Sequence, residues 1–192
     1  MLAFWQSFLL IFIAEMGDKS QLMALTFGTR IPARIVLAGI FAATLVVHLF
    51  SVAIGEVLGL ALPTFWIGLG AGLAFIVFGI WTLRGDSLDG ANAHIGKRFG
   101  AFMTVSATFF LAELGDKTML ATVTLASQFQ EFVPVWIGST VGMVVADALA
   151  IWIGRMAGRQ LPDRVVRYAA AAVFAISGIA TIVDTLVNSA VA

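Results

Sequence analysis

Two matched sets of polar side chains sit inside apolar sequence. The first is Glu15-Met16-Gly17-Asp18-Lys19-Ser20 and the second is Glu113-Leu114-Gly115-Asp116-Lys117-Thr118. Carboxylates are hard oxygen ligands, and the hydroxyls of Ser20 and Thr118 add oxygen of the same kind. Such a set suits Ca²⁺ or Mn²⁺, and Mg²⁺ where waters are retained. Glu15 and Asp18 are three residues apart, a spacing that predicts one helix face and a rise of about 4.5 Å; Glu113 and Asp116 repeat it. Gly17 and Gly115 remove side-chain bulk and ease a local break that exposes backbone carbonyls. With every group ionised, the four carboxylates and two lysines sum to the counter-charge of one divalent cation. The chain has no cysteine, so soft-metal thiolate sites and disulfides are excluded.

The surrounding elements must hold these charges in hydrocarbon, where each costs about 2.5–3.5 kcal/mol even on a lenient scale. Hydrophobic residues make up 60% of the 192-residue chain and charged residues only 11%, against roughly 25% in a soluble domain. The net charge is zero, which argues against a nucleic-acid partner. Six segments approach the ~20 apolar residues that a spanning helix needs: 2–26, 35–58, 65–83, 102–126, 133–153 and 168–187. They are long and do not alternate apolar with polar residues, which argues against a barrel. The N-terminus has no basic n-region, so its apolar run is read as a retained span. The fold class expected is all-α: a polytopic membrane protein of six transmembrane helices.

Basic residues orient this bundle. Arg30 and Arg34 fall between the first two spans, Arg84, Lys97 and Arg98 between the third and fourth, and Arg155, Arg159, Arg164 and Arg167 between the last two. The positive-inside rule makes loops 27–34, 84–100 and 154–167 cytoplasmic and puts both termini outside. Trp5, Trp66 and Trp136 fall near the outer boundaries and suit an aromatic belt.

The halves match beyond the signature. With one residue inserted, Gly39 maps to Gly138, Gly55 to Gly154, Pro63 to Pro162 and Gly79 to Gly178. Each half holds three spans, an odd number, so the second enters the membrane from the opposite side. The expected organisation is a first three-helix repeat at 1–84, a cytoplasmic linker at 85–100 and an inverted second repeat at 101–192. Inverted three-span repeats place a site near the midplane and allow two mirror-related open states.

In this scheme Glu15, Asp18, Glu113 and Asp116 are the cation ligands. Unloaded carboxylates repel one another, so cation release coupled to proton uptake follows. Additional candidates are Asp147 in the fifth span, His48 (which falls opposite it in the repeat register), Ser20, Thr118, Lys19, Lys117 and Gln21. A nitrogen from His48 would favour a transition metal over calcium. Thr44 could line the path or simply pack. Met16, Met23, Met119 and Met143 are read as packing residues. A purely structural use of the signature would pair Asp18 with Lys19 and Asp116 with Lys117. Adjacent helical residues point about 100° apart, so each lysine is expected to reach another helix or a backbone carbonyl instead.

Two copies of E-x-G-D-K/R-S/T in spans one and four of a six-span chain resemble the family of manganese/calcium transporters, whose members include Golgi, chloroplast and bacterial proteins. The resemblance covers nearly the whole chain. It implies a cation antiporter that moves Mn²⁺, with Ca²⁺ in some members. The motif acids carry over to Glu15, Asp18, Glu113 and Asp116, and the basic and hydroxyl positions to Lys19, Ser20, Lys117 and Thr118. The short loops look like those of a bacterial member, for which export of Mn²⁺ across the inner membrane is expected. The divalent cation is then the substrate, the proton the counter-ion and the bilayer the surrounding partner, with no cofactor. Two other readings stand beside it: a proton-coupled exporter of a small organic solute such as an amino acid, and an intramembrane metal-dependent hydrolase. Mirror-related sites and the lack of a histidine cluster argue against the hydrolase.

Overall fold

The structure is a computed structural model that describes residues 1–16, 18–84, 100–157 and 163–191. Gly17, most of the 85–100 linker with Lys97 and Arg98, and Arg159 and Pro162 lie outside the described residues. So do the side chains of Lys19, Arg84, Arg155, Arg164 and Arg167. The described chain is all-helical: α1 (Leu2–Glu15), α2 (Lys19–Arg30), α3 (Ala33–Ala61), α4 (Thr64–Arg84), α5 (Ala101–Glu113), α6 (Lys117–Phe129), α7 (Phe132–Ala157) and α8 (Asp163–Val191). Eight helices therefore replace the six continuous spans expected. The two extra ends both fall inside the signatures, which divide 2–30 and 101–129 into half-helices. Among the described residues, four helices contain stretches long and apolar enough to cross a membrane: Ala33–Ala61, Thr64–Leu83, Phe132–Ile153 and Ala171–Ser189.

Local chemistry sets the remaining ends. Pro32 and Pro63 sit just ahead of α3 and α4. Their carbonyls accept from Val36 N–H at 3.2 Å and Ile67 N–H at 3.2 Å, and neither carries an N–H that would be orphaned there. The first expected loop, 27–34, shrinks accordingly, because 27–30 continue α2. α6 stops at Gln130, whose φ of 52° is left-handed. Its side-chain amide turns back to donate to Ala126 O and Ser127 O, both at 3.2 Å. Ser127 O, among the last carbonyls of the helix, gains a donor in this way, while Ala126 O also takes the Gln130 backbone N–H at 3.0 Å.

Close backbone approaches define the packing. A side chain at Gly138 would stand 2.5 Å from Phe4 O, and one at Gly142 would stand 2.5 Å from Phe8 O, so α7 runs parallel to α1. Gly55 rests on Val123 and Ala126, and Gly59 on Ser127 and Gln130, so α3 runs parallel to α6. The two-residue link between α6 and α7 reverses direction, which makes α3 and α7 antiparallel. α4 and α8 cross as an antiparallel pair at Gly72 and Gly178, each within 3 Å of where a side chain on the other would project. Small residues at such crossings let dispersion and backbone contact replace the hydrophobic drive that lipid removes. Buried apolar residues form two clusters, one around Ile11, Phe75, Leu125 and Phe174 and one around Phe27, Ile40, Val105 and Phe109. Large apolar side chains such as Phe50, Trp66, Trp152 and Ile176 face outward, as lipid contact requires.

Candidate cation site at two broken helices

The two breaks share one local design. α1 ends at Glu15, and Met16 turns to φ −64°, ψ 120°; α5 ends at Glu113, and Leu114 turns to φ −63°, ψ 115°. Asp18 N–H donates to Glu15 O at 3.1 Å and Asp116 N–H to Glu113 O at 3.1 Å. The next half-helix then starts from the aspartate, whose carbonyl accepts from Leu22 N–H at 3.2 Å in one copy and from Leu120 N–H at 3.1 Å in the other. A hydroxyl closes each gap from the far side. Ser20 Oγ donates to Glu15 Oε1, and Thr118 Oγ1 donates to Glu113 Oε2 at 2.8 Å. Glu15 and Asp18 thus do not share one helix face, contrary to the three-residue spacing, and neither do Glu113 and Asp116. The backbone turns between them, and Gly115 at φ +77° takes a conformation that β-carbon sterics penalise.

Electrostatics follow from this geometry. Each aspartate precedes a helix N-terminus, where the backbone dipole favours an anion; each glutamate sits at a C-terminus, where it deepens an already negative end. Negative potential therefore gathers at Glu15 and Glu113, and both are fully buried. Glu15 also lies within electrostatic reach of Glu113, Asp147 and Asp18, and Asp147 within reach of Glu113. An ion pair crosses between the signatures: Lys117 Nζ meets Asp18 Oδ1 at 2.9 Å, with both side chains buried. The second signature's lysine therefore reaches across to the first signature's aspartate. Lys19 has no described side chain to compare.

The other candidates are also buried. Gln21 reaches α7, its Nε2 donating to Ala146 O at 3.2 Å. Asp147 and His48 are completely buried. Among the described residues, neither oxygen of Asp147 and neither ring nitrogen of His48 has a hydrogen-bond partner. Glu15 Oε2 is likewise unpartnered. Among the described residues, no three acidic or histidine side chains are gathered tightly enough to form a ready metal cage.

Two methionines and a tryptophan do more than the sequence suggested. Met119 Sδ accepts from Gly115 N–H at 3.2 Å, which satisfies a donor on an exposed stretch of break that lipid cannot satisfy. Met143 Sδ accepts from Thr44 Oγ1 at 3.4 Å where α3 meets α7. Trp136 donates its indole N–H to Leu45 O at 2.9 Å, tying α7 to α3 from a half-buried position. The only available signal was position: Met119 lies four residues after Gly115, and Thr44 and Met143 are counterparts in the repeat register.

Comparison with known proteins identifies the family. A family model described as divalent cation/proton antiporter GDT1 matches residues 3–90 and 101–189, and so both signatures. A Vibrio cholerae protein named "Putative manganese exporter" is 33% identical over 171 residues, covering 88% of this chain and 84% of that protein. A GDT1-like protein of Synechocystis is 26% identical over 184 residues, covering 85% and 88%. A chloroplastic GDT1-like protein of rice is 28% identical over 216 residues, covering 97% of this chain and 63% of its own length. No solved structure matches the chain significantly. The doubled signature, the paired helix breaks it forms and these matches place the chain in the GDT1 family of divalent cation/proton antiporters, whose members are transporters and not enzymes.

Proposed function

We propose that this protein exports Mn²⁺, with Ca²⁺ as the second candidate, across the cytoplasmic membrane in exchange for protons. The cation is substrate and not resident cofactor. Glu15, Asp18, Glu113 and Asp116 are its ligands, with Ser20 and Thr118 holding the glutamates in place. The observation that carries the reading is the coincidence of both signatures with both helix breaks, at buried acids linked across the signatures by Lys117 and Asp18. Discontinuous helices facing one another in the membrane are where transporters expose helix ends and carbonyls to ions. The empty carboxylates repel, so the entering cation draws them together into a cage that is not preformed.

The chain is read as two inverted repeats, 1–84 and 101–192, joined by the linker 85–100. Matching contacts support this. α1 lies on α7 as α5 lies on α3, and α2 touches α7 as α6 touches α3. Gly39 approaches Phe102 O as Gly138 approaches Phe4 O. Parallel pairing of α1 with α7 and of α6 with α3, together with antiparallel α3 and α7, makes the two signature-bearing segments run in opposite senses. Rocking of one repeat against the other then opens the site to each side in turn. The basic loops are cytoplasmic and both termini are outside.

Reconstitution into proteoliposomes tests the proposal. Mn²⁺ flux should follow an imposed pH gradient, and should fall to background in Glu15→Gln and Asp116→Asn. Mn²⁺ flux that ignores the gradient would remove the proton coupling; full flux in both variants would remove the site.

A further inference from the structure

Two buried side chains break the match between the halves. His48 on α3 and Asp147 on α7 occupy corresponding positions, each four residues past a residue of the Thr44–Met143 contact that joins those helices at 3.4 Å. Because α3 and α7 are antiparallel, the two lie on opposite sides of that contact, each about 6 Å along its helix. Both are completely buried. Among the described residues, neither is offered a hydrogen bond at any side-chain polar atom. Buried polar atoms are nearly always partnered, and those that are not call for a ligand or a functional role. A histidine retained only for packing would find a carbonyl or hydroxyl; Ser51 and Thr44, close to it on the same helix, point their hydroxyl donors at Val47 O and Met143 Sδ, and neither accepts from the imidazole. Asp147 lies within electrostatic reach of both Glu15 and Glu113, so it belongs to the same charged centre. Gln21, bonded to Ala146 O, pins α2 beside it.

We propose that His48 and Asp147 are the specificity-determining pair of this transport site: Asp147 adds an oxygen ligand to the shared carboxylates on one side, and His48 adds a nitrogen ligand on the other. This rests on the transport reading above. The chemistry follows from ligand preference. An all-oxygen set accepts Ca²⁺, Mg²⁺ and Mn²⁺ alike, whereas an imidazole is a poor ligand for the first two and is tolerated by a first-row transition ion. A cation that must pass both positions is therefore filtered at His48. The loop charges put Asp147 on the cytoplasmic side and His48 on the outer side, so capture is permissive and release is selective.

The test compares wild type with His48→Asp, which makes the two positions alike in charge and ligand type, and with His48→Gln, which keeps size and polarity and removes the imidazole. In proteoliposomes the Ca²⁺:Mn²⁺ flux ratio should rise about tenfold in His48→Asp, the scale on which one changed group alters metal affinity, and should rise in the same direction in His48→Gln. Pulsed electron paramagnetic resonance of Mn²⁺ added to the purified protein gives a readout independent of flux. Wild type should show ¹⁴N modulation from an imidazole, and His48→Gln should lose it; the chain's other histidine, His94, remains in both. An unchanged flux ratio in both His48 variants, or ¹⁴N modulation that survives His48→Gln, would overturn the inference. Glu15→Gln separates the two levels. If that variant transports normally the transport site itself is wrong, whereas if it is inactive and the His48 variants keep wild-type selectivity, only the specificity assignment fails.

Discussion

Lys117 and Asp18 carry the residue-scale case. Their contact lies between two different half-helices, with both side chains withdrawn from the surface. Removing one member of a buried pair leaves the other's desolvation cost uncompensated. Lys117→Met is therefore expected to lower the unfolding free energy in detergent by on the order of 3 kcal/mol. The double variant with Asp18→Asn should recover a large part of that loss, because it no longer buries the charge. A double variant no more stable than Lys117→Met would show that the pair's charge is already offset elsewhere. The lysine was legible as a group reaching away from its own helix turn. Its partner was not, because sequence spacing says nothing about which residue of another helix lies within 3 Å.

At the scale of elements, the two breaks matter more than the helices they interrupt. A glycine in each signature hinted at them, but the same sequence also satisfied the length rule for one continuous span. The hydroxyl–glutamate bonds decide between these outcomes, since Ser20 and Thr118 reach back to the acids across the gap. Gly115 and Gly70 separate the backbone contribution from crowding, because a side chain at either meets open space. Gly115→Ala must adopt a positive φ and should cost about 1–2 kcal/mol. Gly70→Ala lies within helical α4 and should gain up to about 1 kcal/mol. Thermal unfolding of the purified variants distinguishes them: a fall in Tm for the first and no fall for the second is expected. Equal effects would mean that the turn at Gly115 tolerates an ordinary residue.

For the whole molecule, the issue is orientation, since alternating access requires the two halves to face opposite sides. The absence of cysteine makes the test direct. Arg34, just past the start of α3, and Glu131, just before α7, are both exposed and mark the starts of two antiparallel helices, at opposite ends of the bundle. Arg34→Cys should react with an impermeant maleimide only after cells are opened, and Glu131→Cys should react in intact cells. The reverse pattern would invert the topology and, with it, the assignment of Asp147 to the cytoplasmic side.

Hydropathy, the location of the basic residues and the doubled signature are properties of the chain read along its length. They were enough for an all-helical membrane protein and for the family, and they singled out Glu15, Asp18, Glu113 and Asp116 as its proposed cation ligands. Each depends on local sums or local spacing, which survive without knowledge of partners. Tertiary structure alone decided that the signature helices are broken, that Lys117 serves Asp18, that Trp136 ties α7 to α3, and that His48 and Asp147 are buried without hydrogen-bond partners among the described residues. Those outcomes depend on which backbones approach at Gly55, Gly72, Gly138 and Gly178. In lipid, where apolar faces have no preferred partner, that close approach determines which helix lies against which.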